Sequence, residues 1–428
     1  MNYSPNPRDV MKALFAFALG FTLVLRADPP SLQPSDVLSL KGGCFYLDGK
    51  PFVEISFNKF DLLWAIWQGA NSADPSELQR AMARQDAALR DLHAMGFRTI
   101  RIFGSPWTAS SKGGLQAIWN DETNRKRLLG AIDTTLDLCE KNQIQVDFSL
   151  GLGEFDTGAD ATHASPLYTS PDSAQRRVCN DYLDTLVQRY KGRKAIAMWE
   201  VSNELTNLAN IGNHGGLAHP TLDEVATFFD ETAARIKHDD PLRLVSTGGS
   251  ILRPAAWHLW HHKDWKTDTL DQYKEAYAGY FRHSAIDVID THYYELQQGG
   301  QKLADDANGK PVLMMPGDYV NIARDLGKGA IIGEFGTLPS GWSTKPDNGP
   351  HSFQGYNDPI ARNWVEKGLD VLIEGKVPIT YWWAYQSDRA KDKKSNPITF
   401  SMETTPELVK LIADANHRLQ LRMTSKAK

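Results

Sequence analysis

Short apolar runs recur along the chain, separated by longer segments whose apolar residues follow a helical period. Residues 45–53 form two such runs around Asp48-Gly49, the pattern of a hairpin, and the second run continues through residues 54–58 as a first strand. Asp74-Pro75-Ser76-Glu77 predicts a helix start, with Asp74 as cap, proline in the first helical position and glutamate in the third. Leu78, Met82, Leu89, Leu92 and Met95 follow on one face, and Gly96 ends the helix. The alternation then repeats. Strands are predicted at 99–103, 144–150, 195–200, 243–246, 287–293, 330–333 and 379–383, and helices at 124–141, 173–190, 222–238 and 406–421.

Eight strands alternating mostly with helices imply parallel β/α units. One closed (β/α)8 barrel with long βα loops, over residues 45–423, fits this order and a length of 428 residues. A doubly wound open sheet is the alternative. Residues 28–44 read as a linker and N-terminal extension, and no repeat or low-complexity linker divides the chain after Pro34. In such barrels the chemistry sits at the C-terminal ends of the strands.

Two strands end there in glutamate. The run 195–204 closes on Asn203-Glu204, and the run 330–336 contains Gly333-Glu334-Phe335-Gly336. A carboxylate at the end of a buried strand has little packing reason to be there. Two on one sheet suit glycosidic cleavage, which needs one carboxyl protonated and the other ionised. Arg101 on the second strand and Tyr294 past the sixth are a candidate cation and a candidate phenolic donor. If both approach Glu334, it stays ionised as nucleophile, and Glu204 is left as acid and then as base. A structural ion pair at the barrel rim is the bland alternative for both glutamates.

With these residues in place, the chain resembles clan A of the glycoside hydrolases, and within it family 5, the cellulase and β-mannanase family. Trp199-Glu200-Val201-Ser202-Asn203-Glu204 is similar to that family's strand-four motif, and Gly333-Glu334-Phe335-Gly336 to its strand-seven motif. Arg101, the pair His292 and Tyr294, and Trp382 match its strand-two, strand-six and strand-eight positions. The resemblance spans roughly residues 45–421 and implies Glu204 as acid/base and Glu334 as nucleophile of a retaining enzyme. It further implies Asn203 on the sugar 2-hydroxyl, Trp382 as the floor of the cleaved sugar's subsite, and carboxyl groups ~5–5.5 Å apart. Leu205 departs from the proline that many members carry, and the pattern leaves open which of Trp382 and Trp383 faces the cleft. The substrate expected is a β-linked polysaccharide or oligosaccharide, β-1,4-mannan ahead of β-1,4-glucan, with exo-β-mannosidase action open. A non-catalytic carbohydrate-binding barrel and another enzyme class on the same barrel are the rivals.

Composition adds boundaries. A formal net charge of −5 supplies no basic footprint for nucleic acid. Arg8 and Lys12 precede an apolar stretch at 13–25, so residues 1–27 read as a signal peptide or N-terminal anchor, and a secreted or periplasmic monomer is expected. Cys44, Cys139 and Cys179 are too few for a disulfide framework and read as buried thiols. Trp64, Trp67, Trp107 and Trp342 fall in predicted loops, as sugar-stacking platforms or loop packing. His258, His261 and His262 have the spacing of a helical metal face but no evident carboxylate or thiol partner, so no metal is expected. Gly151-Leu152-Gly153 lacks the third glycine of a dinucleotide loop, and no cofactor is expected. Glu200 carries no assignment.

Overall fold

Eight parallel strands close into a barrel: β1 (Glu54–Asn58), β2 (Thr99–Phe103), β3 (Gln145–Ser149), β4 (Ile196–Glu200), β5 (Leu244–Ser246), β6 (Val288–Tyr293), β7 (Gly329–Phe335) and β8 (Ile379–Trp382). Each pairs in parallel with the next, and β8 pairs with β1. This is the expected (β/α)8 architecture. The structure, a computed structural model, describes residues 32–106, 114–157, 159–214, 217–281, 285–294, 304–305, 309–312, 314–336, 359–385 and 406–424. Among these, no helix is long and apolar enough to cross a membrane.

Helices cover the outside. Ser76–Ala94 turns Ala81, Leu89 and Leu92 into the core, and Glu122–Lys141 does so with Leu128, Ile132 and Leu136. A fully buried aliphatic side chain of this kind is worth ~1.5–3 kcal/mol, so these stripes hold the helices to the sheet. At the first helix Pro75 already has helical angles (φ −60°, ψ −21°), and Asp74 accepts from the Ser76 amide at 2.9 Å. The helix itself runs from Ser76, one residue later than expected, and Glu77 pairs with Arg80 at 2.6 Å instead of closing a capping box. The helix Asp61–Ala70 directly after β1 is not apparent from the sequence pattern. It corrects the reading of Trp64 and Trp67 as loop residues, since Trp67 lies in the core and Trp64 packs against it.

The floor of the barrel is largely apolar, with Glu54 buried opposite Ile379 and accepting from Thr99. Met198, Leu244, Val288, Ile331, Ile379 and Tyr381 pack inside, against Leu38, Phe45 and Leu47. Phe45 and Leu47 belong to a three-stranded antiparallel sheet of Ser39–Lys41, Cys44–Leu47 and Lys50–Pro51, and Leu38 lies just before its first strand. The hairpin is as expected, and the extension adds its third strand. Along Cys44–Leu47 the buried positions are Phe45 and Leu47, which leaves Cys44 exposed rather than buried. Cys139 and Cys179 are buried free thiols.

Candidate active site

Glu200 ends β4 inside the barrel, and four residues later the chain turns sharply at Glu204, whose backbone is left-handed (φ 55°, ψ 29°). Such a conformation disfavours a side chain by roughly 1–2 kcal/mol and needs support. The Glu204 amide donates to the Gly248 carbonyl at 2.7 Å, just beyond β5. Gly248 is itself left-handed, and a side chain there would run into Ser202 and Glu200. The close approach of these two loops aims Glu204 over the barrel mouth.

Glu334 reaches the same mouth by a different device. Along β6 and β7 the register runs Asp290 opposite Ile331 and then His292 opposite Glu334. Along β7 and β8 it runs Ile332 opposite Thr380 and then Phe335 opposite Trp382. β7 therefore carries one extra residue, a bulge that turns Glu334 inward where strict alternation from Ile331 would send it out. Inside, Arg101 Nη1 donates to Glu334 Oε1 at 2.9 Å and Tyr294 Oη donates to Oε2 at 2.7 Å. Both carboxylate oxygens of Glu334 thus accept from a buried side-chain donor.

Arg101 is fully buried, and each of its N–H groups has an acceptor. Nε and Nη2 make a bidentate pair with Glu200 at 2.6 and 2.7 Å, Nη1 reaches Asn58 and Glu334 at 2.9 Å each, and Nη2 reaches Asn203 Oδ1 at 2.9 Å. The last bond fixes the Asn203 amide, because guanidinium only donates. Its NH2 is left to donate outward. Asn58 in turn donates to the Gly333 and Tyr381 carbonyls, which ties β1 to β7 and β8.

His292 joins the two glutamates. Its Nδ1 lies 3.0 Å from Glu204 Oε1 and 3.5 Å from Glu334 Oε2. One ring nitrogen of His292 and one oxygen from each glutamate lie within 4.8 Å of one another. Burial disfavours the imidazolium, but the charge of Glu334 and the hydrogen bond to Glu204 outweigh it, and its pKa is raised to about 9. Burial likewise pushes Glu204 up, but the His292 hydrogen bond and charge prevail and hold it below the ordinary value. Asn207 Nδ2 also donates to Glu204 Oε2 at 3.2 Å.

The structure thus brings together Glu204, Glu334, Arg101, Asn203, His292 and Tyr294. Trp382 needs correction. On β8 the inward positions are Ile379 and Tyr381, so Trp382 points outward and packs edge-on against Phe335, only 1% exposed. Trp383 has the inward parity and clusters with Tyr294, Phe103 and Phe60, stacked on Phe60 at 5.0 Å. Trp107 and Trp342 lie outside the described residues. His258 begins the histidine trio on the helix Ala256–His261, where it has a carboxylate partner after all, Asp268 at 2.8 Å. Sequence reasoning missed Asn58, Asp290 and Asn207 and left Glu200 without a role; polar residues on inward positions of otherwise apolar strands were the available signal for Asn58, Asp290 and Glu200.

Asp147, Glu200 and Asp290 also bring carboxylate oxygens within 4.8 Å of one another below Arg101. Burial, then Glu200 and Asp290, raise Asp147 well above the carboxylate range. Burial raises Asp290 to about 7 against the pull of His292. Arg101 balances part of this negative layer through its bidentate pair with Glu200.

Solved structures share this fold. An endo-1,4-β-mannanase from Rhizomucor miehei superposes with a TM-score of 0.59 at 15% identity, covering 90% of this chain and 99% of its own. A glycoside hydrolase family 5 mannosidase from the same organism, in complex with mannosyl-fructose, gives 0.60 at 14% identity over 92% and 100%. An endo-β-1,4-mannanase from Thermotoga petrophila gives 0.54 at 15% identity over 89% and 78%. No protein-family model matches the chain, and no curated protein sequence does.

Proposed function

We propose that the chain is a retaining β-glycosidase of β-1,4-mannan or manno-oligosaccharides, with Glu334 as nucleophile and Glu204 as acid/base. One observation carries this reading: oxygens of Glu204 and Glu334 come within 4.8 Å across the barrel mouth. That fits the ~5–5.5 Å of retaining pairs and leaves no room for the intervening water of inverting ones, ~6.5–9.5 Å apart. The mannan preference rests on the names of the solved structures that share the fold.

The carboxylate of Glu334, held by Arg101 and Tyr294, attacks the anomeric carbon and forms a glycosyl ester as the glycosidic C–O bond breaks. The leaving oxygen takes a proton from Glu204. His292 Nδ1, 3.0 Å from Glu204 Oε1, is placed to supply that proton beforehand and become neutral. Water then attacks the anomeric carbon, Glu204 takes its proton, and the ester C–O bond breaks to free Glu334. The Asn203 amide, fixed by Arg101, is the donor toward the sugar 2-hydroxyl, and Trp383 replaces Trp382 beneath the ring. Stacking by Trp107 and Trp342 belongs to the same proposal, as does export directed by residues 1–27.

The test is hydrolysis of β-mannan, β-glucan and xylan by the wild type and Glu334→Gln in parallel. Cleavage of mannan that vanishes in the variant is expected. Cleavage that survives in Glu334→Gln contradicts the assignment, and cleavage of glucan or xylan alone moves the substrate.

A further inference from the structure

Asp290 has no place in the mechanism above, yet it lies directly behind Glu334. Its Oδ1 accepts from the Gly333 amide at 2.7 Å. The Gly333 carbonyl accepts from Asn58 Nδ2 at 2.8 Å. Both backbone groups of Gly333 are thus satisfied by interior side chains, within the stretch of β7 where the register shifts. Gly333 is the bulged residue, and Asp290 holds the amide that the bulge takes out of the ladder. The fit is tight: a methyl group on Gly333 would collide with both oxygens of Asp290. Without the bulge, alternation would turn Glu334 toward the helices, away from Arg101 and Tyr294.

We propose that Asp290 is a positioning residue, which aims Glu334 into the barrel by holding the β7 bulge at Gly333. The proposal rests on the reading of Glu334 as nucleophile. Asp290 also faces His292, with Oδ2 4.0 Å from Nε2, so the bulge must be separated from the charge. Asp290→Asn does this, because its amide oxygen still accepts from Gly333 while the charge is gone. Asp290→Ala removes both, and Asp290→Leu removes both while leaving less of a cavity.

The variants are compared in kcat and KM on manno-oligosaccharides, and in crystal structures. Asp290→Ala and Asp290→Leu are expected to lose about 10²-fold in kcat at nearly unchanged KM, the cost of misplacing a reacting group by about an ångström, while Asp290→Asn keeps kcat within about threefold. Wild-type kcat in either apolar variant overturns the proposal, as does Asp290→Asn falling as far as Asp290→Ala. Should the wild type cleave no glycoside, the proposed function fails and the crystal structures still decide. Glu334 released from Arg101 or Tyr294 in a folded apolar variant supports the positioning role, and Glu334 unmoved overturns it.

Discussion

Arg101 and Glu334, 233 positions apart in sequence, meet at 2.9 Å inside the barrel, and that bond completes a guanidinium with no donor to spare. Lysine offers a single point charge and no fork for the bidentate Glu200 contact. Arg101→Lys is therefore expected to lose most turnover. Leaving Glu200 and Glu334 under-paired is expected to cost about 3–5 kcal/mol of stability. A urea melt beside a kcat measurement checks both.

The two neighbouring tryptophans separate cleanly. Trp383→Ala is expected to raise KM strongly, while Trp382→Ala, in the packing behind β8, is expected to destabilise by about 3–5 kcal/mol and leave KM nearly alone. Thermal melts and KM values for the pair measure this, and reversed effects would return the cleft to Trp382.

Glu204→Gln removes the proton donor but not the nucleophile. Turnover of an unactivated manno-oligosaccharide is expected to fall about 10²–10⁴-fold. An aryl glycoside whose leaving group needs no proton is expected to form the glycosyl-enzyme at close to the wild-type rate. Rapid-mix measurement of the aryl burst distinguishes the steps.

His292 makes stability pH-dependent in a stated direction. Its pKa is about 9 in the fold against 6.5 ordinarily, so the folded state binds more protons between these values. The contribution is complete below about 6.5 and lost as pH rises through about 9. Denaturation midpoints are expected to fall across that window and to fall less in His292→Asn. Hydrolysis is expected to decline on the same alkaline limb, as Glu204 loses its proton source.

Much of this site was legible in the sequence, because strand-end position alone brings residues to one mouth of a barrel. Glu204, Glu334, Arg101, His292 and Tyr294 lie on β2, β4, β6 and β7 or just past their ends, and needed only the strand order to be gathered. What escaped depended on side-chain parity and register. A two-residue Trp-Trp at the end of β8 shows no parity until the neighbouring strands are paired, and the bulge in β7 is invisible in Ile-Ile-Gly-Glu-Phe. The helix Asp61–Ala70 escaped because its apolar residues follow the strand almost without a break. Glu200 was conspicuous in an apolar strand, but its partner emerges only from the pairing of β2, β3 and β4.

The most direct measurement is proton NMR of the first sugar released from a β-1,4-manno-oligosaccharide. Double displacement at Glu334 yields the β-anomer first, with the α-anomer growing in only by mutarotation. The α-anomer appearing first would mean inversion, and Glu334 could then not be the nucleophile nor Glu204 its acid/base.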